Sequence, residues 1–410
     1  MITTTGEILK ILFYNHTGQV SGAERVMLMI LSGLDRNRFQ TFVVCPKDGY
    51  LTKLAEDVGV QVSNVELLEA RFTWRPDLLI KYLKSFFGVI AKLRKVLLDH
   101  DPDLIHANTI RAGIVATTAT LGTGIRVVWH LHDMLPHHPL STLIRWYATL
   151  STRTSLLAVS QAVAIRFQGS FLRLLNACQK VQVIHNGIDL RRFNGSSALG
   201  HNFRNEFKLG EEQFVVGIVG QITPRKGQLG LIRAFAAAQS QIQSAVLLIV
   251  GAPLFNNDHE YLLELKRTAA TLGVADRVIF VGSRQDIPSV MEALDLLVLN
   301  STIEPLGLVI LEAMACRTAV LATAVDGVAE IISHEVSGWL VPSKKEDRLA
   351  EAIVALGRDR ELRNRLAENA IQSVVPRFSA ERYLTRIENY YHRIYKPSNA
   401  RTNERLVQES

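Results

Sequence analysis

Two glutamates stand eight positions apart in Glu304-Pro305-Leu306-Gly307-Leu308, which runs into Glu312-Ala313-Met314-Ala315. Pro305 and Gly307 keep Glu304 in a loop, and helical character begins at Leu308. The free amides and dipole of a helix start near Gly307 and Leu308 favour an anion such as a diphosphate. Glu312, about one turn into that helix, can accept hydrogen bonds from two adjacent sugar hydroxyls. Glu304, on the loop before it, can reach a group beyond the phosphates. The same residues also fit an ordinary helix start with one solvated glutamate.

A second constellation is Val219-Gly220-Gln221-Ile222-Thr223-Pro224-Arg225-Lys226-Gly227, between a buried strand and a helix starting near Gln228. Two cations beside glycines at a strand's carboxyl end suit phosphate oxygens and can neutralise charge on a leaving group. A solvated basic turn is the plain alternative. The segment is neither a Walker A sequence nor a GxGxxG, so ATPase and NAD chemistry lack their fingerprints. In Gly18-Gln19-Val20-Ser21-Gly22-Ala23-Glu24-Arg25 the glycines either let backbone approach a ligand or make a tight turn.

His130, His132, Asp133, His137 and His138 cluster around one strand end. Strand alternation points His130 and His132 the same way, and strand carboxyl ends are where open α/β sheets bind ligands. HxHD lacks a further ligand set and HExxH is absent, so no metal is expected and His132 is a substrate contact or a core histidine. Residues 71–95 interleave Phe72, Trp74, Tyr82, Phe86 and Phe87 with seven Lys and Arg. Leu79, Tyr82, Leu83, Phe86, Ile90, Leu93 and Leu97 fall on one helical face, which fits either a core helix with lysines outward or a helix on anionic lipid. No RNA module is visible, so nucleic acid is not an expected partner.

The elements that must position these residues are legible as short apolar runs alternating with amphipathic stretches. Ile8–Tyr14, Thr41–Cys45, Gln61–Val65, Leu104–Ala107, Val127–Leu131, Leu156–Val159 and Val181–His185 read as strands apolar on both faces, the mark of buried parallel sheet. The pattern restarts at Phe214–Val219, Ala245–Val250, Val278–Val281, Leu296–Leu299, Ala319–Thr323 and Gly338–Val341, with helical stretches between. Two successive βα series predict two doubly wound domains, with a boundary in the polar segment 186–213. The expected domains are residues 1–188 and 189–379. A helix over 380–396 either packs back on the first domain or stays on the second, and 397–410 is expected to form a flexible tail.

A chain of 410 residues with 48% hydrophobic and 21% charged residues needs more than one core, and excludes disorder as the main state. Three separated cysteines, Cys45, Cys178 and Cys316, argue against a disulfide framework. No secretory signal or membrane span is evident, so the expected location is cytoplasmic, with attachment to the inner face of the plasma membrane left open. Residues 1–190 carry 20 basic against 14 acidic side chains, and residues 191–410 carry 26 against 25. The basic first half suits an anionic partner or is a merely solvated surface.

With these residues in view, the chain resembles the retaining GT-B glycosyltransferases of family 4, from the Gly22-Ala23-Glu24-Arg25 turn to the closing helix. The Glu304-to-Glu312 motif is the most specific part. Val183-Ile184-His185-Asn186-Gly187-Ile188-Asp189 looks like the family's interdomain segment, and Val328–Ile332 and Ser337–Pro342 look like its later segments. The resemblance implies two Rossmann-like domains facing a cleft, a nucleotide-sugar donor on the second and a hydroxyl acceptor, glycan or lipid-linked, on the first. It implies no cofactor and no metal. Catalytic residues would be His132, Glu304 and Lys226, and donor-binding residues Gly22, Gly220, Arg225, Lys226, Glu304, Gly307, Leu308 and Glu312. Three positions depart from the family's pattern: Gln221 stands for a common Arg, Asn300 for a frequent Pro, and Cys316-Arg317-Thr318-Ala319 for Gly-x-Pro. A nucleotide-sugar epimerase and a non-catalytic membrane-surface protein are the alternatives.

Overall fold

The computed structural model describes residues 8–68, 76–136, 138–174, 181–193, 197–254 and 256–395. His137, Cys178, residues 71–75 and the tail from 397 lie outside them. The chain forms two compact units, one running to Gly187 and resuming at Glu381, the other spanning Ile188–Ala380.

In the first unit, β1 (Leu9–Tyr14), α1 (Gly22–Gly33), β2 (Phe39–Pro46), α2 (Leu51–Asp57), β3 (Gln61–Val65) and α3 (Pro76–His100) lead to β4 (Leu104–Ala107). There follow α4 (Ile110–Ala119), β5 (Arg126–Leu131), α5 (Pro139–Leu150), β6 (Thr154–Ala158), α6 (Gln161–Leu174) and β7 (Val181–Val183). All pairs are parallel, in the order β3-β2-β1-β4-β5-β6-β7. Helices on both faces explain why β1 reads as a continuous apolar run: Ile11, Leu12 and Phe13 are all fully buried. The order reverses between β1 and β4, which opens a crevice at their carboxyl ends.

The second unit contains α7 (Ser197–Glu206), β8 (Phe214–Val219), α8 (Gln228–Ala238), β9 (Ala245–Val250), α9 (Asn256–Thr271) and β10 (Val278–Gly282). It continues through α10 (Ile287–Ala293), β11 (Leu296–Leu299), α11 (Leu308–Ala315), β12 (Ala319–Thr323), α12 (Val328–Ile331), β13 (Trp339–Val341), α13 (Glu346–Arg358) and α14 (Arg360–Ser373). Its parallel sheet runs β10-β9-β8-β11-β12-β13, with the reversal between β8 and β11. The chain enters and leaves this unit side by side: Ile188 N–H donates to the Phe378 carbonyl (2.8 Å) and Ala380 N–H to the Ile188 carbonyl (2.9 Å).

The closing helix α15 (Ala380–Ile394) returns to the first unit. Tyr383, Ile387, Tyr390 and Tyr391 recur at helical spacing and are buried, and Arg38 pairs with Glu388 at 2.8 Å. The α3 face differs from its expected set. Val89, Ile90, Leu93 and Leu97 are buried, but Leu83 is 43% exposed. At about 100° per residue it falls on the margin of the stripe centred on Val89 and Leu93. Ile80, Phe87 and Leu98 lie opposite that stripe and are exposed. Among the described residues no helix is long and apolar enough to cross a membrane. Cys45 and Cys316 are buried free thiols.

Candidate active site

The site is built at the reversal of the second sheet, from the turns that leave β8 and β11. Beyond β8, Gly220 has a φ of 145°, and the Lys226 stem passes 3.7 Å from where a Cβ would stand. Pro224–Lys226 form one 3₁₀ turn that ends at Gly227, with φ 72°. A Cβ on Gly227 would lie 2.1 Å from the Asn300 carbonyl oxygen, so this turn needs glycine both for conformation and for space.

The turn beyond β11 is stitched to it. Asn300 Nδ2 donates to the Gly227 carbonyl (2.9 Å), Thr302 N–H to the Arg225 carbonyl (2.9 Å), and Arg225 Nη1 to the Ile303 carbonyl (3.2 Å). Asn300 thus closes the seam where the family's frequent proline could make no such bond. Lys226 Nζ meets Glu304 Oε2 at 2.6 Å, with only 16% and 9% of the two side chains exposed. Ser301 Oγ donates to the same Oε2 at 2.9 Å. The Glu304 backbone is pinned as well, its N–H donating to Asp326 Oδ2 (3.0 Å) and its carbonyl accepting from Gly327 N–H (3.2 Å). Both donors to the carboxylate fall on Oε2, and among the described residues no donor reaches Oε1.

Gly307 caps α11 in the left-handed region (φ 93°), with no side chain satisfying the first amides. Glu312 follows just over one turn in and is half-buried. Arg225, Lys226, Glu304 and Gly307 therefore converge on the carboxyl edge of the sheet at its reversal. A small polar surface pocket between Asp295, Arg317, Arg360 and Arg363 lies at the opposite edge, by the amino ends of β11 and β12. Gln221, the residue that departs from a common Arg, turns to α9, its Nε2 donating to the buried Asp258 Oδ2 at 2.8 Å.

Gly22 and His132 belong to the first unit. Gly22 is the exposed first residue of α1, after Ser21, whose N–H (2.9 Å) and Oγ (2.6 Å) both donate to Glu24 Oε2. Glu24 Oε1 accepts from Asn15 Nδ2 (3.1 Å), and Asn15 Oδ1 from Asn108 Nδ2 (3.2 Å), so buried polar groups line the β1/β4 reversal. Of the two readings of the glycines before α1, Gly18 takes the tight turn. A Cβ there would stand 2.0 Å from the Asp48 carbonyl oxygen.

His132 lies just past β5, 8% exposed, with its ring centroid 3.9 Å from that of His130, so the two do share a side. Burial pushes His106 and His132 down to about 3, and His130 well below the ordinary histidine range, so all three are neutral near neutrality. His138 stands apart as the cap of α5, its Nδ1 accepting from Leu140 N–H at 3.2 Å. Among the described residues no group of three His, Cys, Asp or Glu side chains is placed to hold a metal ion.

Sequence reasoning missed Ser301 and Asp326, which orient Glu304, and His106, which bonds His130. Ser301 lies three residues from Glu304 and was within local reach; Asp326 and His106 carry no local signal.

A family model described as Glycosyl transferases group 1 matches residues 201–373, and one described as Glycosyltransferase Family 4 matches residues 20–192. The chain is 30% identical to HepE of Anabaena, solved in complex with UDP-glucose; the match covers 94% of this chain and 99% of that one with a TM-score of 0.80. It is 25% identical over 385 residues to an Escherichia coli UDP-Gal:alpha-D-GlcNAc-diphosphoundecaprenol alpha-1,3-galactosyltransferase, covering 91% of this chain and 94% of the relative. An N-acetyl-alpha-D-glucosaminyl L-malate synthase of Bacillus anthracis is 26% identical over 75% of this chain and 79% of its own.

Proposed function

The chain belongs to the GT-B glycosyltransferases of family 4, and on that footing we propose that it is a retaining transferase moving a sugar from a uridine diphosphate sugar to a hydroxyl acceptor. The observation that carries this reading is the Lys226–Glu304 pair, with Arg225 beside it, at the sheet reversal next to the start of α11. Lys226 and Arg225 take the diphosphate oxygens, helped by the amides of Gly307 and Leu308. Glu312 accepts from the ribose hydroxyls and Glu304 from hydroxyls of the transferred sugar. Gly220 leaves room for the phosphates, and Gly22 and His132 keep the roles that the family resemblance implies, donor binding and contact with the reacting sugar.

The bond from the anomeric carbon to the diphosphate oxygen breaks, and the acceptor oxygen bonds to the same face of that carbon. The acceptor's proton passes to the departing diphosphate. The growing negative charge is met by fixed cations and a helix start, so the proposed reaction needs no metal. The uridine base is supported by HepE, solved with UDP-glucose, and by the galactosyltransferase relative named for UDP-Gal.

A lipid-linked or glycan acceptor fits this reading, and α3 offers the contact with an anionic membrane. Its outer side presents Ile80, Leu83 and Phe87 among Lys81 and Lys84. Binding to anionic vesicles that weakens in Phe87→Ser supports the contact, and equal binding to neutral vesicles overturns it.

The test of the main reading is donor hydrolysis and transfer by the purified protein with UDP-, GDP- and ADP-sugars. Turnover with a UDP-sugar, lost in folded Lys226→Ala and Glu304→Ala, is expected. No turnover and no donor binding with any of them would remove the reading; unchanged rates in both variants would remove the site assignment.

A further inference from the structure

The first unit buries a line of three imidazoles that ends on the closing helix. Tyr391 Oη, on α15, lies 2.8 Å from His106 Nδ1 on β4, and His106 Nε2 lies 3.1 Å from His130 Nδ1 on β5. The His130 ring then packs on His132 at 3.9 Å between centroids. Tyr391, His106 and His130 are fully buried. His130 Nε2 and His132 Nε2 have no hydrogen-bond partner among the described residues.

Proton counting gives this line a direction. A neutral imidazole carries one N–H and one lone pair, and a phenol carries one O–H. If Tyr391 donates to His106 Nδ1, the His106 proton must sit on Nε2 and is donated to His130 Nδ1. The His130 proton is then on Nε2, and the acceptor left idle is the weakly basic phenol oxygen. If the line runs the other way, the Tyr391 hydrogen has no acceptor and the idle acceptor is the more basic His130 Nε2. Each direction leaves one hydrogen and one acceptor unpaired, but the first pairs the phenol, the stronger donor, with an imidazole nitrogen, the stronger acceptor, so the first direction wins.

We propose that Tyr391 is a positioning residue for His132: through His106 it fixes His130 as the Nε2–H tautomer and holds the ring on which His132 packs. The role rests on the reading of His132 as a contact to the reacting sugar. Of α15's buried tyrosines, Tyr383 leaves its hydroxyl without a hydrogen-bond partner among the described residues, whereas the Tyr391 hydroxyl is spent on His106.

Nitrogen-15 NMR of the imidazoles tests the geometry without any substrate. In the wild-type protein His106 and His130 should both show Nε2–H; Nδ1–H on either overturns the proposal. Tyr391→Phe keeps the ring and deletes the hydroxyl, which should change the His106 and His130 tautomer signals. With a UDP-sugar it should lower kcat by about tenfold and leave the donor KM in place, because His132 loses orientation while the donor site is untouched. A shifted tautomer with an unchanged kcat, or an unchanged tautomer in the variant, refutes the role. If the wild-type protein transfers nothing, the functional reading fails, and the wild-type spectra still decide the hydrogen-bond direction.

Discussion

Acidification should open the first unit before the second. His106 and His132 sit at about 3 in the folded chain because burial disfavours the charged ring, against about 6.5 when unfolded. Between those values the unfolded state binds more protons, so the stability contribution is whole above about pH 6.5 and falls as the pH drops towards about 3. From about pH 7 to about pH 5 each such histidine removes roughly 2 kcal/mol, so this pair removes about 4 kcal/mol. His130 acts in the same direction, as does His16, which burial and Arg111 push down to about 4. Hydrogen exchange reads this unit by unit. Corrected for intrinsic rates, amide protection at Ile105 and Val128 should fall by at least about a thousandfold over that interval. Leu297 and Val298, in the unit that holds none of the four histidines, serve as the internal reference. His106→Gln should flatten the dependence by about 1.4 kcal/mol per pH unit. Equal loss of protection in both units, or none in the first, would refute the assignment of neutral buried histidines.

Three other outcomes follow from the donor-side geometry. Ser301→Ala deletes the second donor to Glu304 Oε2 and should cost about 1 kcal/mol by denaturant melting, with a lower kcat and little change in donor affinity. Gly227→Ala must relieve a 2.1 Å contact with the Asn300 carbonyl at a φ of 72°, so a loss of at least about 2 kcal/mol is expected, read as a lowered Tm. Incubation with a chelator should leave the transfer rate unchanged; a rate restored only by added divalent ion would show that Lys226 and Arg225 do not suffice at the leaving group.

The strands were legible because each is buried on both faces, which leaves a short apolar run that no surface helix imitates. Phe214–Val219, Ala245–Val250, Leu296–Leu299 and Ala319–Thr323 form over those very residues. The turns after them were legible because Gly, Pro and paired charges punctuate the chain there. Helical periodicity was a weaker guide at its margins: it grouped Leu83 on one face of α3 with Leu93 and Leu97, but contacts, not spacing, decide where a stripe ends. What holds the site was least legible. Asp326 reaches Glu304 across 22 residues and Tyr391 reaches His106 across 285, distances at which no local pattern survives.

The Lys226–Glu304 pair holds the charges that the proposed transfer would use, in an arrangement whose other contacts do not depend on the pair. A lysine and a carboxylate in a mostly covered turn stabilise each other, and either one alone would be costly there. In the proposed reaction the diphosphate competes for Lys226. Glu304 need not move when that happens, because Ser301 still donates to Oε2 and Asp326 and Gly327 still hold its backbone. Its Oε1 is then available to sugar hydroxyls from the outset. On the proposed reading the ion pair is a placeholder for the donor's charges. Glu304→Gln tests that view against a purely structural pair: with Lys226 released in advance, UDP alone should bind more tightly than to the wild-type protein while sugar transfer falls. Weaker UDP binding in that variant would mean that the carboxylate positions the lysine for phosphate and does not compete with it.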